Sequence, residues 1–309
     1  MTRSSFIIGS RGSALALRQA EIVRARLVAH YPHLAFSLRI IRTSGDRITD
    51  RPLTAFGGKG LFIKELEEAL LAGEIDLAVH SLKDMPAEIP EGLHLAAILE
   101  REDPRDALVT RTREGTVRAL REGAIVGTSS LRRLAQLRAL RPDLDIRPLR
   151  GNVDTRLRKL DAGQYEAIVL AVAGLVRLGL EERIAERIPT EVMIPAIGQG
   201  AIVVETRVED EGMNALLRPL DHPPTRAATT AERAFLQRLG GGCHVPIAAH
   251  AEPLPDDPSR LILRGMIASP DGARLLKDQV VGPLGEAVAL GHQLAERLIA
   301  AGALALLHS

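Results

Sequence analysis

Cys243 is the only cysteine in the chain and follows three glycines, Gly240, Gly241 and Gly242, in the stretch ERAFLQRLGGGCHVPIA. Glycine has no Cβ and reaches positive φ, so the backbone around this sulfur leaves room for a bulky group. A thiolate so placed can trap an electrophilic carbon, while in an apolar setting the same residue is simply a small hydrophobe. Asp84, in HSLKDMP at 80 to 86, follows a buried-looking strand, adjoins Lys83 and sits in a turn ended by Pro86. It is the best candidate acid or base, and its carboxylate can meet a bound cation; the bland reading is an Asx turn before proline.

Polar groups also gather at other expected strand ends, in SRGS at 10 to 13, GTSSLRR at 127 to 133 and LRGNVDTR at 149 to 156. Ligands of open α/β sheets collect outside the carboxyl ends of the strands. Thr128, Ser129 and Ser130 stand where a helix should begin, with Arg132 and Arg133 behind them. This is either an anion cradle or a capped helix with solvated arginines. Arg11, Arg150 and Arg156 fall at similar loop-to-helix junctions, so the implied ligand carries several carboxylates or phosphates. Nucleotide motifs fit poorly. GGKG at 57 to 60 lacks the hydroxyl residue that follows a P-loop lysine, and GQGAIV at 198 to 203 has valine where a dinucleotide fingerprint ends in glycine. The nine histidines form no HExxH and no His/Cys cluster, so no metal site is expected.

Composition narrows the classes further. The 309 residues exceed what one hydrophobic core usually supports, so two or three domains are expected. Aromatic residues are 2% and tryptophan is absent, which excludes base-stacking platforms for single-stranded nucleic acid. The net charge of +1 argues against nonspecific polyanion binding, so no nucleic-acid partner is expected. Of the 40 basic residues 35 are arginine, whose planar fork suits carboxylates and phosphates. The longest apolar run, at 167 to 176, is about half of the ~20 residues that cross a bilayer, so no membrane span is expected. One cysteine makes no intramolecular disulfide, and MTRSSFIIGS lacks the apolar core of a secretory signal. A reduced, cytoplasmic protein is the expectation.

The elements that must position these residues alternate as in α/β proteins. Phe6 to Gly9 reads as a strand and 13 to 31 as a helix; 35 to 43 is a strand, Leu61 to Leu71 a helix and 76 to 82 a strand. The stretch from 43 to 60, with four glycines and little periodicity, is long for a connection and is expected to be a functional lid. From Asp106 a second α/β set begins, with helices at 131 to 140 and 153 to 163. After the strand 201 to 207 and a helix ending near Leu220, DHPPT suits a linker. The last ninety or so residues read as a helix ending at Gly240, strands near 246 to 252 and 261 to 268, and a final helix from Leu284 to Leu307. No internal repeat is visible.

FGGKGLF, AVHSLKDMP, EREDPRDA, VGTSSLRR, LRGNVDTRL, AVAGLVRLGL, IGQGA and ERAFLQRLGGGCHVPIA follow one another in this order. Over about Ile8 to Ile247 the chain closely resembles the porphobilinogen deaminase family, also called hydroxymethylbilane synthases. The resemblance implies a thioether from Cys243 to a dipyrromethane made from two substrate molecules. Four porphobilinogens are then added head to tail with loss of ammonia, and water releases hydroxymethylbilane. Asp84 would contact pyrrole nitrogens and assist proton transfer. Lys83, Thr128, Ser129, Ser130, Arg132 and Arg133 would bind the cofactor. Arg11, Ser13, Arg150, Arg156 and Arg177 would face substrate, with Lys59 and Phe62 at the lid.

The fold implied is α/β with three domains. Residues 1–99 with 200–219 would form the first, 100–199 the second, and 220–309 a small α/β domain carrying the cofactor cysteine. The first two would resemble the lobes of periplasmic binding proteins with an interdomain active-site cleft. The family norm is a cytoplasmic monomer whose product passes to uroporphyrinogen-III synthase. Ala55 and Val176 stand where relatives commonly have basic residues. Two rival classes share some of these features: a noncatalytic two-lobed binder of a polycarboxylate, which has no need of GGGC, and a phosphate-binding transferase using GTSSLRR and GGKG.

Overall fold

The computed structural model describes residues 3–43, 63–240 and 246–307. Residues 44–60 of the expected lid at 43–60, with Lys59 and Ala55 among them, and Phe62 and Cys243 lie outside the described residues. The chain divides into two compact units, one of Met1–Arg101 with Ala201–Arg226 and the other of Glu102–Gly200 with Ala227–Ser309.

In the first unit, strand β1 (Ser5–Ser10) leads into helix α1 (Ala14–His30), whose N-cap Ser13 accepts the N–H of Ala16. β2 (Ala35–Ile40) returns parallel to β1. Helix α2 (Lys64–Leu71) stops where Gly73 turns into the left-handed region at φ +70, and the chain then enters β3 (Leu77–Ser81) and β4 (Leu93–Ile98). β10 (Ile202–Arg207) lies antiparallel between β3 and β4, giving the order β2-β1-β3-β10-β4. α1 covers one face with Ala20, Val23 and Leu27 over Ile8, Leu77 and Val79. α2 covers the other face with Leu66 and Leu70 over Ile75 and Ala78. Each large aliphatic side chain buried here contributes roughly 1.5–3 kcal/mol.

The second unit repeats that plan. β5 (Asp106–Thr110), β6 (Ile125–Gly127), β7 (Asp145–Arg147), β8 (Ala167–Ala171) and β9 (Glu186–Ile188) form a sheet of order β7-β6-β8-β5-β9. Its helices are α3 (Leu131–Leu140), α4 (Val153–Asp161) and α5 (Val172–Arg177). β6, β7 and β8 pair parallel as β1, β2 and β3 do, and β5 is the antiparallel insertion corresponding to β10. The correspondence extends to single bonds. Asp76 accepts the N–H of Ile7 at 2.7 Å and holds Arg3 at 2.6 Å, while Glu166 accepts the N–H of Ile125 at 3.1 Å and holds Arg121 at 2.7 Å. Gly9 and Gly127 occupy matching places. An added Cβ would lie 2.3 Å from the Ile75 side chain at the first and 2.8 Å from Tyr165 at the second. The chain thus contains a structural duplication where its sequence shows no repeat.

After α6 (Glu211–Leu217) in the first unit, α7 (Pro223–Arg238) begins in that unit and carries the chain into the rest of the second. DHPPT is therefore no extended linker: proline suits the first helical turn, and Pro223 opens α7. An antiparallel sheet of β11 (Ile247–Leu254), β12 (Asp257–Ala268) and β13 (Leu275–Pro283) packs on α7, α8 (Ala287–Ala300) and α9 (Ala303–Leu307). The expected single helix from Leu284 to Leu307 is broken, because Gly302 at φ +95 terminates α8. This sheet rests on α3 through Ala135, Ala248, Met266 and Ala268.

Candidate functional site

Asp84 ends the single 3-10 turn Leu82–Asp84 that follows β3. Buried Leu82 and Met85 anchor the turn: the N–H of Met85 bonds Leu82 O at 3.1 Å and that of Leu82 bonds Ala201 O at 3.0 Å. Lys83 and Asp84 are left exposed. Asp84 lines a pocket together with Arg11, Ser13, Gln19, His80 and Ser81 among others. One wall is locked by Gln19 and Ser81, whose carboxamide and hydroxyl exchange hydrogen bonds of 2.8 and 3.1 Å. The structure thus brings Arg11, Ser13 and Asp84 together within the first unit.

Thr128, Ser129 and Ser130 spend their hydroxyls on the backbone. Thr128 accepts the N–H of Ser130 at 3.2 Å, Ser129 bridges the N–H and C=O of Leu149 at 3.0 Å each, and Ser130 caps α3 by accepting the N–H of Arg133 at 3.4 Å. These contacts fix the strand-to-helix turn that carries Arg132 and Arg133. Asn152 caps α4 in the same way, and Arg156 bonds the carbonyl of Gly151 at 2.7 Å. Arg150 is half-buried, its carbonyl bonded by Lys159. Arg177 donates to the carbonyl of Gly200 at 2.5 Å.

Arg132 and Arg133 are not solvated; each is 6% exposed. Both reach the carboxylate of Asp106, Arg132 at 2.6 and 3.1 Å and Arg133 at 2.7 and 3.0 Å. Arg132 also bonds Ile194 O, Arg133 bonds Val169 O, and Gln199 Nε2 reaches Asp106 at 3.1 Å. Burial alone would push the Asp106 carboxyl up, but the two guanidinium groups outweigh it and hold it well below the usual range. Asp106 and Gln199 belong to EREDPRDA and IGQGA, yet nothing in their own spacing singles them out.

The donor set fits a polycarboxylate cofactor such as a dipyrromethane. Two arginines against one aspartate leave one positive charge, and each guanidinium has five N–H groups of which three are used in these contacts. Two N–H groups on each make no hydrogen bond in these contacts. Among the described residues no cluster of His, Cys, Asp and Glu could hold a metal ion, and no helix is long and apolar enough to cross a membrane.

Fold and site together define an α/β protein with two duplicated sheets and arginine-rich, helix-capped strand ends built for an anionic ligand. Residues 6–215 match the family model described as porphobilinogen deaminase, dipyromethane cofactor binding domain, and residues 227–300 match its C-terminal domain. Similar curated proteins are porphobilinogen deaminases of Syntrophus aciditrophicus, 52% identical over 96% of this chain and 95% of that one, and of Chromobacterium violaceum, 53% identical over the same shares. The chain belongs to the porphobilinogen deaminase family. Among solved structures, a putative methionine-binding lipoprotein of Bacillus subtilis aligns over 70% of this chain and 90% of that one, at TM-score 0.43 and 12% identity.

Proposed function

We propose that the chain is a hydroxymethylbilane synthase, which deaminates porphobilinogen and joins four such units head to tail onto a covalently held dipyrromethane primer. The observation that carries this reading is the placement of Asp84 in one pocket with Arg11 and Ser13, within a domain of the matching family. When bound, the dipyrromethane supplies the pyrrole carbon to which new units are attached. Cys243 is assigned as its thioether anchor.

Asp84 acts on charge. Loss of ammonia from porphobilinogen breaks a C–N bond and leaves positive charge spread over the pyrrole, which a carboxylate at hydrogen-bond range of the ring N–H stabilises. The same carboxylate accepts a proton as coupling restores aromaticity. Arg11 and Ser13 hold the acetate and propionate groups of the incoming unit, with Arg150, Arg156 and Arg177 serving the growing chain and Lys59 and Phe62 the lid. Lys83, Thr128, Ser129, Ser130, Arg132 and Arg133 hold the cofactor's carboxylates; for the three hydroxyl residues this means shaping the turn whose backbone N–H groups face the anion. The three-domain division at 1–99 with 200–219, 100–199 and 220–309 is part of this reading, as are a cytoplasmic monomer and delivery of product to uroporphyrinogen-III synthase.

The test is intact mass together with product analysis. Protein made in cells that produce porphobilinogen should exceed its sequence mass by a dipyrromethane, give a colour with Ehrlich's reagent and release ammonia and hydroxymethylbilane. A bare-chain mass with undiminished binding of polycarboxylates would instead identify a noncatalytic binding protein.

A further inference from the structure

Three ionisable groups lie together behind the Asp84 strand end, and no step above uses them. On the antiparallel pair β3 and β10, Val203 stands opposite His80 and Glu205 opposite Ala78, so His80 and Glu205 are diagonal neighbours on one face. His80 Nε2 lies 3.1 Å from Glu205 Oε2, and the two side chains are 4% and 0% exposed. The other oxygen of Glu205 is buried without a hydrogen-bond partner. α2 packs over β10 and contributes Glu67, one of whose oxygens is also buried and unpartnered. Burial first, then the charge of Glu205, raises the Glu67 carboxyl to about 7, against the opposing influence of His80. Such unpartnered carboxylate oxygens are costly to hold in a fold.

The cluster adjoins the site directly. His80 lines the same pocket as Asp84 and precedes it by four residues. The charged and titratable groups around it are Glu205 from β10, Glu67 and Glu68 from α2, Arg11 from the loop before α1, and Asp84 from the 3-10 turn. A unit charge at ~10 Å and an effective dielectric of ~20 shifts a neighbouring ionisation by roughly one pH unit. The same field acts on a cation forming in the pocket, by up to about tenfold in rate.

We propose that Glu67, His80 and Glu205 are positioning residues for the reaction at Asp84: a buried cluster that gains or loses one proton and so sets the negative charge behind the pocket while it holds a cation. The proposal rests on the deaminase reading. Its proton balance is simple: the O–H bond of the Glu67 carboxyl breaks, the proton leaves to solvent along the half-exposed side of Glu67, and the cluster gains one negative charge. Turnover therefore rises as Glu67 ionises.

The experiment compares kcat of the holoenzyme on porphobilinogen across neutral pH for wild type and Glu67→Gln, with the Glu67 carboxyl followed by carbon NMR. Wild type should show a several-fold rise and a carboxyl titration centred at about 7, and Glu67→Gln should lose that rise while KM holds. His80→Gln should move the carboxyl midpoint upward, because His80 opposes the rise of the Glu67 carboxyl. A Glu67→Gln profile superimposable on wild type, or a Glu67 carboxyl titrating in the ordinary carboxylate range, overturns the proposal alone. A wild-type protein that releases no ammonia from porphobilinogen at any pH overturns the deaminase reading and this inference with it.

Discussion

Glu232, fully buried on α7, accepts the backbone N–H of Gly198 at 2.7 Å, so the helix leading toward Cys243 grips the chain two residues before it passes from one unit to the other. Its second oxygen accepts the N–H of Ala251 on β11 at 2.8 Å. Replacing Glu232 with alanine removes a carboxylate acceptor from two buried amide N–H groups, at ~1–3 kcal/mol each. Urea unfolding of Glu232→Ala should show a loss of roughly 2–5 kcal/mol; a loss below about 0.5 kcal/mol would mean that this carboxylate is structurally idle.

Asp106 neutralises two buried guanidinium groups, so Asp106→Asn should destabilise by ~3–5 kcal/mol at pH 7. The pH dependence has a definite sign. The carboxyl titrates in the fold below its unfolded value of ~3.9, so its contribution is fully present above about pH 4 and is lost as pH falls toward the folded value. Stability measured against pH should therefore decline less steeply below about pH 4 in Asp106→Asn than in wild type. Parallel acid limbs would remove this assignment.

Gly291 sits in the middle of α8, where alanine would ordinarily gain about 1 kcal/mol of helix propensity. A Cβ there would lie 2.4 Å from the carbonyl oxygen of Ala231 and 2.7 Å from the amide nitrogen of Phe235, both backbone atoms of α7. Backbone moves only with its helix, so Gly291→Ala should lower stability by ~1–3 kcal/mol despite the propensity gain. A raised Tm would show that α7 and α8 have slack between them.

Cys243→Ser should abolish the covalent adduct, because no other thiol is present in the chain. Asp84→Ala should keep much of the adduct while losing ~10²–10⁴ in kcat. Intact mass and single-turnover kinetics separate the two effects. Full activity in either variant would refute the role given to that residue.

Much of the fold could be read from the chain because local rules agreed with one another. Gly73, the apolar run of β3 and Pro86 together mark helix stop, buried strand and turn, which is why Asp84 could be placed at a strand end. Ser130 and Asn152 announce their helices as N-caps. Other features escaped because their cause is distant in sequence. Asp106 meets Gln199 across 93 residues, and no local pattern marks either as a partner for arginines. β13, with Lys277, Asp278 and Gln279 at its centre, lacks a clean apolar alternation, and the break at Gly302 lies in an Ala- and Leu-rich run that reads as helix on both sides. The duplication left only faint traces, Leu70, Ala72 and Gly73 against Leu160, Ala162 and Gly163, because a sheet topology tolerates almost any buried aliphatic residues.

That duplication has an asymmetric outcome. Counting from Gly73 and from Gly163 along the matching strands, the place held by Asp84 in one half is held by Gly174 in the other. On the proposed function, the half with the carboxylate would carry out each bond-forming event, while its twin, with helix caps and guanidinium groups among its described strand ends, would hold the carboxylates of the lengthening product: one scaffold used once as a workbench and once as a clamp.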